Sequence, residues 1–219
     1  MQDHLQFLVN NSNDPDVDPY DLVKHQVTIH NEHIDEIIVL NYFAEIHNGK
    51  FLIVGAQGGD DFSQQLLHRG WQGVYCEPNP ITCSELLNNT EDYRSQVSIL
   101  NVAITPDGGP VDFYIDPNPG ESTTVKNWRE TTHLNRKIIV NSMTFTQLFE
   151  LTGYDFDYVQ TDTEGLDIKI IETVDWSKLT RCKMICTEAG PAVLKQLCQQ
   201  AGFMISDRTP TNAIYKKNR

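Results

Sequence analysis

From residue 50 onward, short apolar runs alternate with stretches of helical spacing. Phe51-Leu52-Ile53-Val54, Gly73-Val74-Tyr75-Cys76, Val97-Ser98-Ile99-Leu100, Tyr158-Val159-Gln160-Thr161 and Lys183-Met184-Ile185-Cys186 read as strands. Between them the spacing predicts helices from about Asp60 to Arg69, Pro80 to Asn88, Thr144 to Leu151, Leu166 to Thr173 and Pro191 to Ala201. Pro191 falls in a first turn, where its missing N–H leaves nothing unsatisfied. Two extra strand-like runs, Val111 to Ile115 and Lys137 to Asn141, flank a polar insertion. The last runs, Phe203 to Ser206 and Ala213 to Tyr215, are joined by a turn at Thr209-Pro210-Thr211. That link is too short for a helical crossover, so an antiparallel hairpin is expected. Together these elements predict an α/β fold: a doubly wound, mostly parallel seven-stranded sheet, covered on both faces and closed by an antiparallel hairpin.

Residues 1–48 stand apart. The run from Asn10 to Pro19 is polar, with turn chemistry and no periodicity. Its three aspartates lack the Gly and Glu that an EF-hand calcium loop needs at its sixth and twelfth positions. Ile34, Ile37, Ile38, Tyr42 and Ile46 keep helical spacing and predict a helix over 33–47, stopped by Asn48-Gly49. The organisation expected is an N-terminal extension with one helix (1–48) and one domain (49–219).

Charge narrows the choice of partner. The 219 residues hold 17 Lys+Arg against 30 Asp+Glu, a net charge of −13. Residues 1–116 carry four basic and 18 acidic side chains, so the imbalance lies entirely in the first half. Such a chain repels phosphate backbones, and nucleic acid is not expected as a partner. No apolar run approaches the ~20 residues of a membrane span, and Met1-Gln2-Asp3-His4 does not open a secretory signal. Five cysteines without CxxC spacing argue against a disulfide framework or structural zinc. A reducing, cytoplasmic compartment is the expectation.

The chemistry gathers at strand ends. The first strand runs into Gly55-Ala56-Gln57-Gly58-Gly59-Asp60-Asp61, a turn whose glycines admit close backbone approach. It is not GxGxxG, and its two aspartates would repel a pyrophosphate at the helix start, which argues against a nicotinamide dinucleotide. A cationic ligand suits it better, with one aspartate as an N-cap. Glu77 ends the second strand, where a carboxylate accepts hydrogen bonds from a ribose diol. Asp162 and Glu164 follow the fourth strand and Glu188 the fifth, at the edge where open α/β sheets bind ligands.

These runs resemble the FkbM family of S-adenosylmethionine (SAM) methyltransferases. The residues that carry the likeness are Val54-Gly55-Ala56-Gln57-Gly58-Gly59, Val74-Tyr75-Cys76-Glu77-Pro78-Asn79-Pro80, Asn101-Val102-Ala103-Ile104, Glu121-Ser122-Thr123-Thr124 and Asp162-Thr163-Glu164-Gly165-Leu166-Asp167. They occur in family order across about three quarters of the chain, from Phe51 to Tyr215. The family pattern departs at Ile53, usually Asp; at Gln57, often Asn; and at Gln160, usually Lys. The resemblance implies a Rossmann-like methyltransferase fold and SAM as cofactor. It also implies O-methyl transfer to a hydroxyl of a sugar, glycan or other polyol-like small molecule. Gly55, Gln57, Gly59, Glu77, Asn101, Ala103 and Asp162 are the expected cofactor residues. Asp162, Glu164 and His133, the last in the insertion Lys126 to Lys137, are the catalytic candidates. Asp162, Glu164 and Glu188 would be the ligands of a divalent metal, which is the less favoured way to activate the acceptor. Trp128, in the insertion, is a candidate for substrate stacking. His30 and His33 read as surface residues.

Overall fold

A computed structural model describes residues 34–59, 61–129, 136–188, 198, 201–209 and 211–217. Its helices are α1 (Ile34–Tyr42), α2 (Asp61–His68), α3 (Pro80–Asn89), α4 (Phe145–Thr152) and α5 (Asp167–Glu172). The strands are β1 (Lys50–Val54), β2 (Gln72–Cys76), β3 (Val97–Leu100), β4 (Ala103–Ile104), β5 (Gly109–Ile115), β6 (Arg136–Met143), β7 (Tyr158–Thr161), β8 (Met184–Thr187), β9 (Phe203–Arg208) and β10 (Ala213–Lys217).

Seven strands form one sheet in the order β3-β2-β1-β7-β8-β10-β9. The first five pair in parallel, and β10 runs antiparallel to both β8 and β9. This is the Rossmann-like methyltransferase architecture expected from the sequence. Strand order reverses between β1 and β7, which opens a crevice at their carboxyl ends.

Side chains alternate across each strand and divide the core in two. Leu52 and Val54 face Val159, Ile185, α4 and α5, whereas Phe51 and Ile53 face α1, α2 and Trp71. Ile53, where the family pattern has an acid, is therefore a packed core residue at 1% exposure. All five cysteines are buried and unpaired.

Two differences from the sequence reading have physical causes. The first helix ends at Tyr42, not 47, because tertiary contacts take over. Phe43 is fully buried against the rings of Trp71 (5.0 Å) and Tyr158 (6.0 Å). The Trp71 indole N–H then donates to the Ile46 carbonyl at 2.8 Å, so that carbonyl needs no helical partner. The second difference is β4, two residues long and without a readable period. It joins β5 and β6 in a separate three-stranded sheet, β4-β6-β5. The α5 helix has no side-chain cap, so neither Asp162 nor Glu164 serves its start. The predicted N-terminal loop, His30, His33, Asp60 and most of the helix from Pro191 lie outside the described residues.

Truncating Phe43 to Ala empties a fully buried aromatic site and is expected to cost about 3–5 kcal/mol in urea unfolding. A loss under ~1 kcal/mol would show that α1 and the chain after it are not part of the cooperative core.

Candidate functional site

The site is built on one backbone contact. Gly55 has φ +80°, and a Cβ placed on it would lie 1.7 Å from the Asp162 carbonyl oxygen. Only glycine lets the ends of β1 and β7 come this close. The Asp162 N–H donates to the Val54 carbonyl at 2.9 Å and locks the pair. Beyond it the loop turns through Gln57 (φ +48°) and Gly59 (φ +85°).

Glu77 holds this loop from the neighbouring strand. One carboxylate oxygen accepts the Gln57 N–H and the other the Asn79 N–H, each at 2.7 Å. Burial raises the Glu77 pKa, and the two backbone donors offset only part of that rise. Asn101 extends the brace, donating its side-chain amide to the Glu77 and Pro78 carbonyls at 2.8 and 3.2 Å.

Asp162, Glu164 and Glu188 converge, one oxygen of each lying within 4.8 Å of the others. Asp162 Oδ1 and Glu188 Oε2 are buried with no hydrogen-bond partner among the described residues. Burial, then repulsion from Glu188, Asp167 and Glu164, pushes the Asp162 carboxyl far above the ordinary carboxylate range. Glu188 is raised as well, first by burial and then by Glu164 and Asp167. Two carboxyls this close, both raised by burial and by neighbouring acids, favour holding a proton between them.

Glu164 is handled differently. Its backbone is left-handed (φ +52°), followed by Gly165 at φ +110°. Its carbonyl accepts from the Thr123 hydroxyl at 2.7 Å and its carboxylate from the Trp128 indole N–H at 2.6 Å. Arg129 bridges Glu164 (3.4 Å) and Glu121. The Trp128 ring lies against Gly165 so closely that a Cβ there would stand 2.4 Å from it. Asp167, buried at the start of α5, accepts both the N–H and the hydroxyl of Thr163 and so fixes the turn between the two acids.

A narrow cleft runs between these groups. Of the residues singled out from sequence, Gly55, Gln57, Glu77, Ala103, Asp162 and Glu164 line it. Gly59 and Asn101 are not among its lining residues, Glu188 meets it only through its closeness to Asp162 and Glu164, and His133 lies outside the described residues. Sequence reasoning missed Phe113, which with Val102 and Ile104 of a family-like run gives the cleft its apolar wall. It also missed the tie between Trp128, Arg129 and Glu164. Nothing in local spacing marks a contact 36 residues apart in the chain. Ser122 and Thr124 line the cleft too, and had stood out only through the family likeness.

Residues 54–206, more than half of the chain, match the family model described as the methyltransferase FkbM domain. The chain belongs to the FkbM methyltransferase family. It is accordingly a SAM-dependent methyltransferase. Among curated proteins, none matches the chain. Solved structures resemble it in backbone course alone. Precorrin-6y C5,15-methyltransferase from Geobacter metallireducens is 11% identical, with 84% of this chain and 86% of that one covered at a TM-score of 0.46. TrmK of M. capricolum, bound to S-adenosyl-homocysteine, is 12% identical over 83% and 68%, with a TM-score of 0.45. The METTL16 methyltransferase domain is 10% identical over 83% and 65%, with a TM-score of 0.49.

Two outcomes test this geometry. Because its folded pKa is raised, Asp162 stabilises the FkbM domain at low pH, and that stability is lost as pH rises above the ordinary carboxylate range. Asp162→Asn should therefore raise Tm by a few degrees at pH 8 and change it less at pH 5. An equal shift at both pH values would contradict the assignment. Gly55→Ala should fail to fold or lose several kcal/mol, since its Cβ meets backbone that cannot yield.

Proposed function

We propose that this FkbM-family protein is an O-methyltransferase acting on a hydroxyl of a sugar, glycan or other polyol-like small molecule. The observation that carries the reading is the pair of buried, unpartnered carboxylate oxygens on Asp162 and Glu188, beside the glycine loop. Such a pair calls for a proton or a cation. The residues present fit SAM, whose sulfonium and ammonium are cations and whose activated methyl is what the acceptor oxygen attacks. Gly55, Gln57 and Gly59 offer close backbone approach, and Ala103 supplies apolar wall. The Glu77 oxygens, each already accepting one N–H, keep a further lone pair for a ribose hydroxyl. Asn101 acts one step back, by holding the Glu77 backbone.

The acceptor side follows from the same carboxylates. A neutral alcohol is a poor nucleophile until its proton is taken or loosened. Asp162 is assigned as the base or orienting group, and positive charge in the cleft would draw its carboxyl into the ionised form that accepts a proton. Glu164, braced by Trp128 and Arg129, orients the acceptor and screens the cleft from water. A site with this many carboxylates favours hydroxyl donors and disfavours phosphate-bearing acceptors such as nucleic acid. His133, a second candidate base, is assigned no role.

Asp162, Glu164 and Glu188 also have the spacing of divalent-cation ligands. We place a proton there instead, because Glu164 already shares one of its oxygens, Oε2, with the Trp128 indole and with Arg129, whose positive charge opposes a second cation beside it. Residues 49–219 are taken as the methyltransferase domain and 1–48 as an extension; no helix among the described residues is long and apolar enough to cross a membrane.

Radiolabelled methyl transfer to a panel of sugars and polyols, alongside SAM titration calorimetry, tests the proposal. Labelled ether products are expected, and no binding of SAM or S-adenosylhomocysteine would overturn it. Asp162→Asn should lower kcat by roughly 10²-fold, the scale of general-base loss. The wild-type kcat/KM should rise with pH above the ordinary carboxylate range, and the rise should vanish in the variant. Activity should survive EDTA. Its loss there, with recovery on adding Mg²⁺, would put a metal in place of the proton.

A further inference from the structure

The opposite edge of the sheet holds a second cavity of about 400 Å³, lined by Tyr42, Ile46, Thr180, Arg181, Lys183 and Lys217 with Cys182. It lies at the start of β8 and the end of β10, one strand length, ~15 Å, from the carboxylates at the end of β8. Its charge is the reverse of the chain's. Lys183 and Arg181 both reach one carboxylate, Asp157, at 3.1 and 2.7 Å. That carboxylate is 1% exposed and also accepts the Lys50 backbone N–H at 3.0 Å, so its oxygens are fully engaged. Lys217 has no carboxylate partner among the described residues; its ammonium meets the Thr180 carbonyl at 3.5 Å and the Phe203 ring at 5.6 Å. Two of the cavity's three cations thus share one buried carboxylate and the third has none, in a protein of net charge −13. The Arg181 and Lys183 side chains are nearly half exposed, which leaves donors for a ligand.

We propose that this cavity binds the phosphate group of a small phosphorylated ligand. An excess of two positive charges matches a phosphate dianion, and a guanidinium flanked by two ammoniums suits its oxygens. The volume falls within the range of small-molecule sites. Tyr42 and Ile46 offer an apolar wall to whatever the phosphate is attached to. The ligand is not the methyl donor, whose glycine loop and carboxylates stand at the other end of the strands. This inference does not depend on which acceptor is methylated.

The test is titration calorimetry of the full chain with inorganic phosphate and with phenyl phosphate, at constant ionic strength set with KCl. Saturable binding is expected, weakened about tenfold or more in Lys217→Gln and in Arg181→Gln, while SAM affinity stays unchanged. Lys217→Gln keeps every partner of Asp157, so it separates lost binding from lost folding. Tighter binding of phenyl phosphate assigns an ester, and equal binding assigns free phosphate. No saturable binding of either probe would overturn the proposal. So would binding that both variants leave intact, or binding of a single-stranded oligonucleotide alone.

Discussion

Everything at the candidate site depends on how closely β1 and β7 approach at their carboxyl ends. Gly55 stands where no side chain fits, against the carbonyl of Asp162. That contact fixes the glycine loop beside Asp162 and sets where β7 ends. The turn that follows needs its own devices, a left-handed Glu164, Gly165 under the Trp128 ring, and Asp167 gripping Thr163. Each is a local departure from ordinary backbone, and together they crowd three carboxylates into one place.

Crowding gives those carboxylates their chemistry. In water each would ionise near pH 4. At the sheet edge burial and repulsion between neighbouring acids raise both Asp162 and Glu188 above that range. Glu164 is spared part of this cost by an indole N–H and a guanidinium from the segment after β5. The result is an edge that attracts positive charge, in keeping with a sulfonium donor. At the far edge of the same sheet, Asp157 gathers cations around a single buried negative charge, and the polarity is reversed. One sheet thus presents opposite fields at its two ends.

Much of this was legible in the sequence, for identifiable reasons. Strands buried on both faces are dense in apolar residues, so β1, β2, β7 and β8 declared themselves, and the short final link fixed the hairpin. Gly55, Glu77 and Asp162 were legible because strand ends followed by glycine or acid carry functional meaning in this topology. What escaped has physical causes too. The first helix stops early because Phe43 and Trp71 pack across the sheet, a contact 28 positions apart that periodicity does not encode. β4 is too short to show a period. Glu77 was read as a ribose ligand, but its carboxylate also ties the loop to α3 through two backbone N–H groups. The grip of Trp128 and Arg129 on Glu164 depends on a long connection whose course only tertiary structure sets.

The central claim is that Asp162 and Glu188 hold a proton in place of the positive charge that SAM brings. Titration of SAM near pH 7.5 in two buffers of different ionisation enthalpy measures it directly. The account predicts net proton release on SAM binding to the wild-type chain, and its loss in Asp162→Asn. Binding with no proton release in the wild type, or with the same release in the variant, would contradict it.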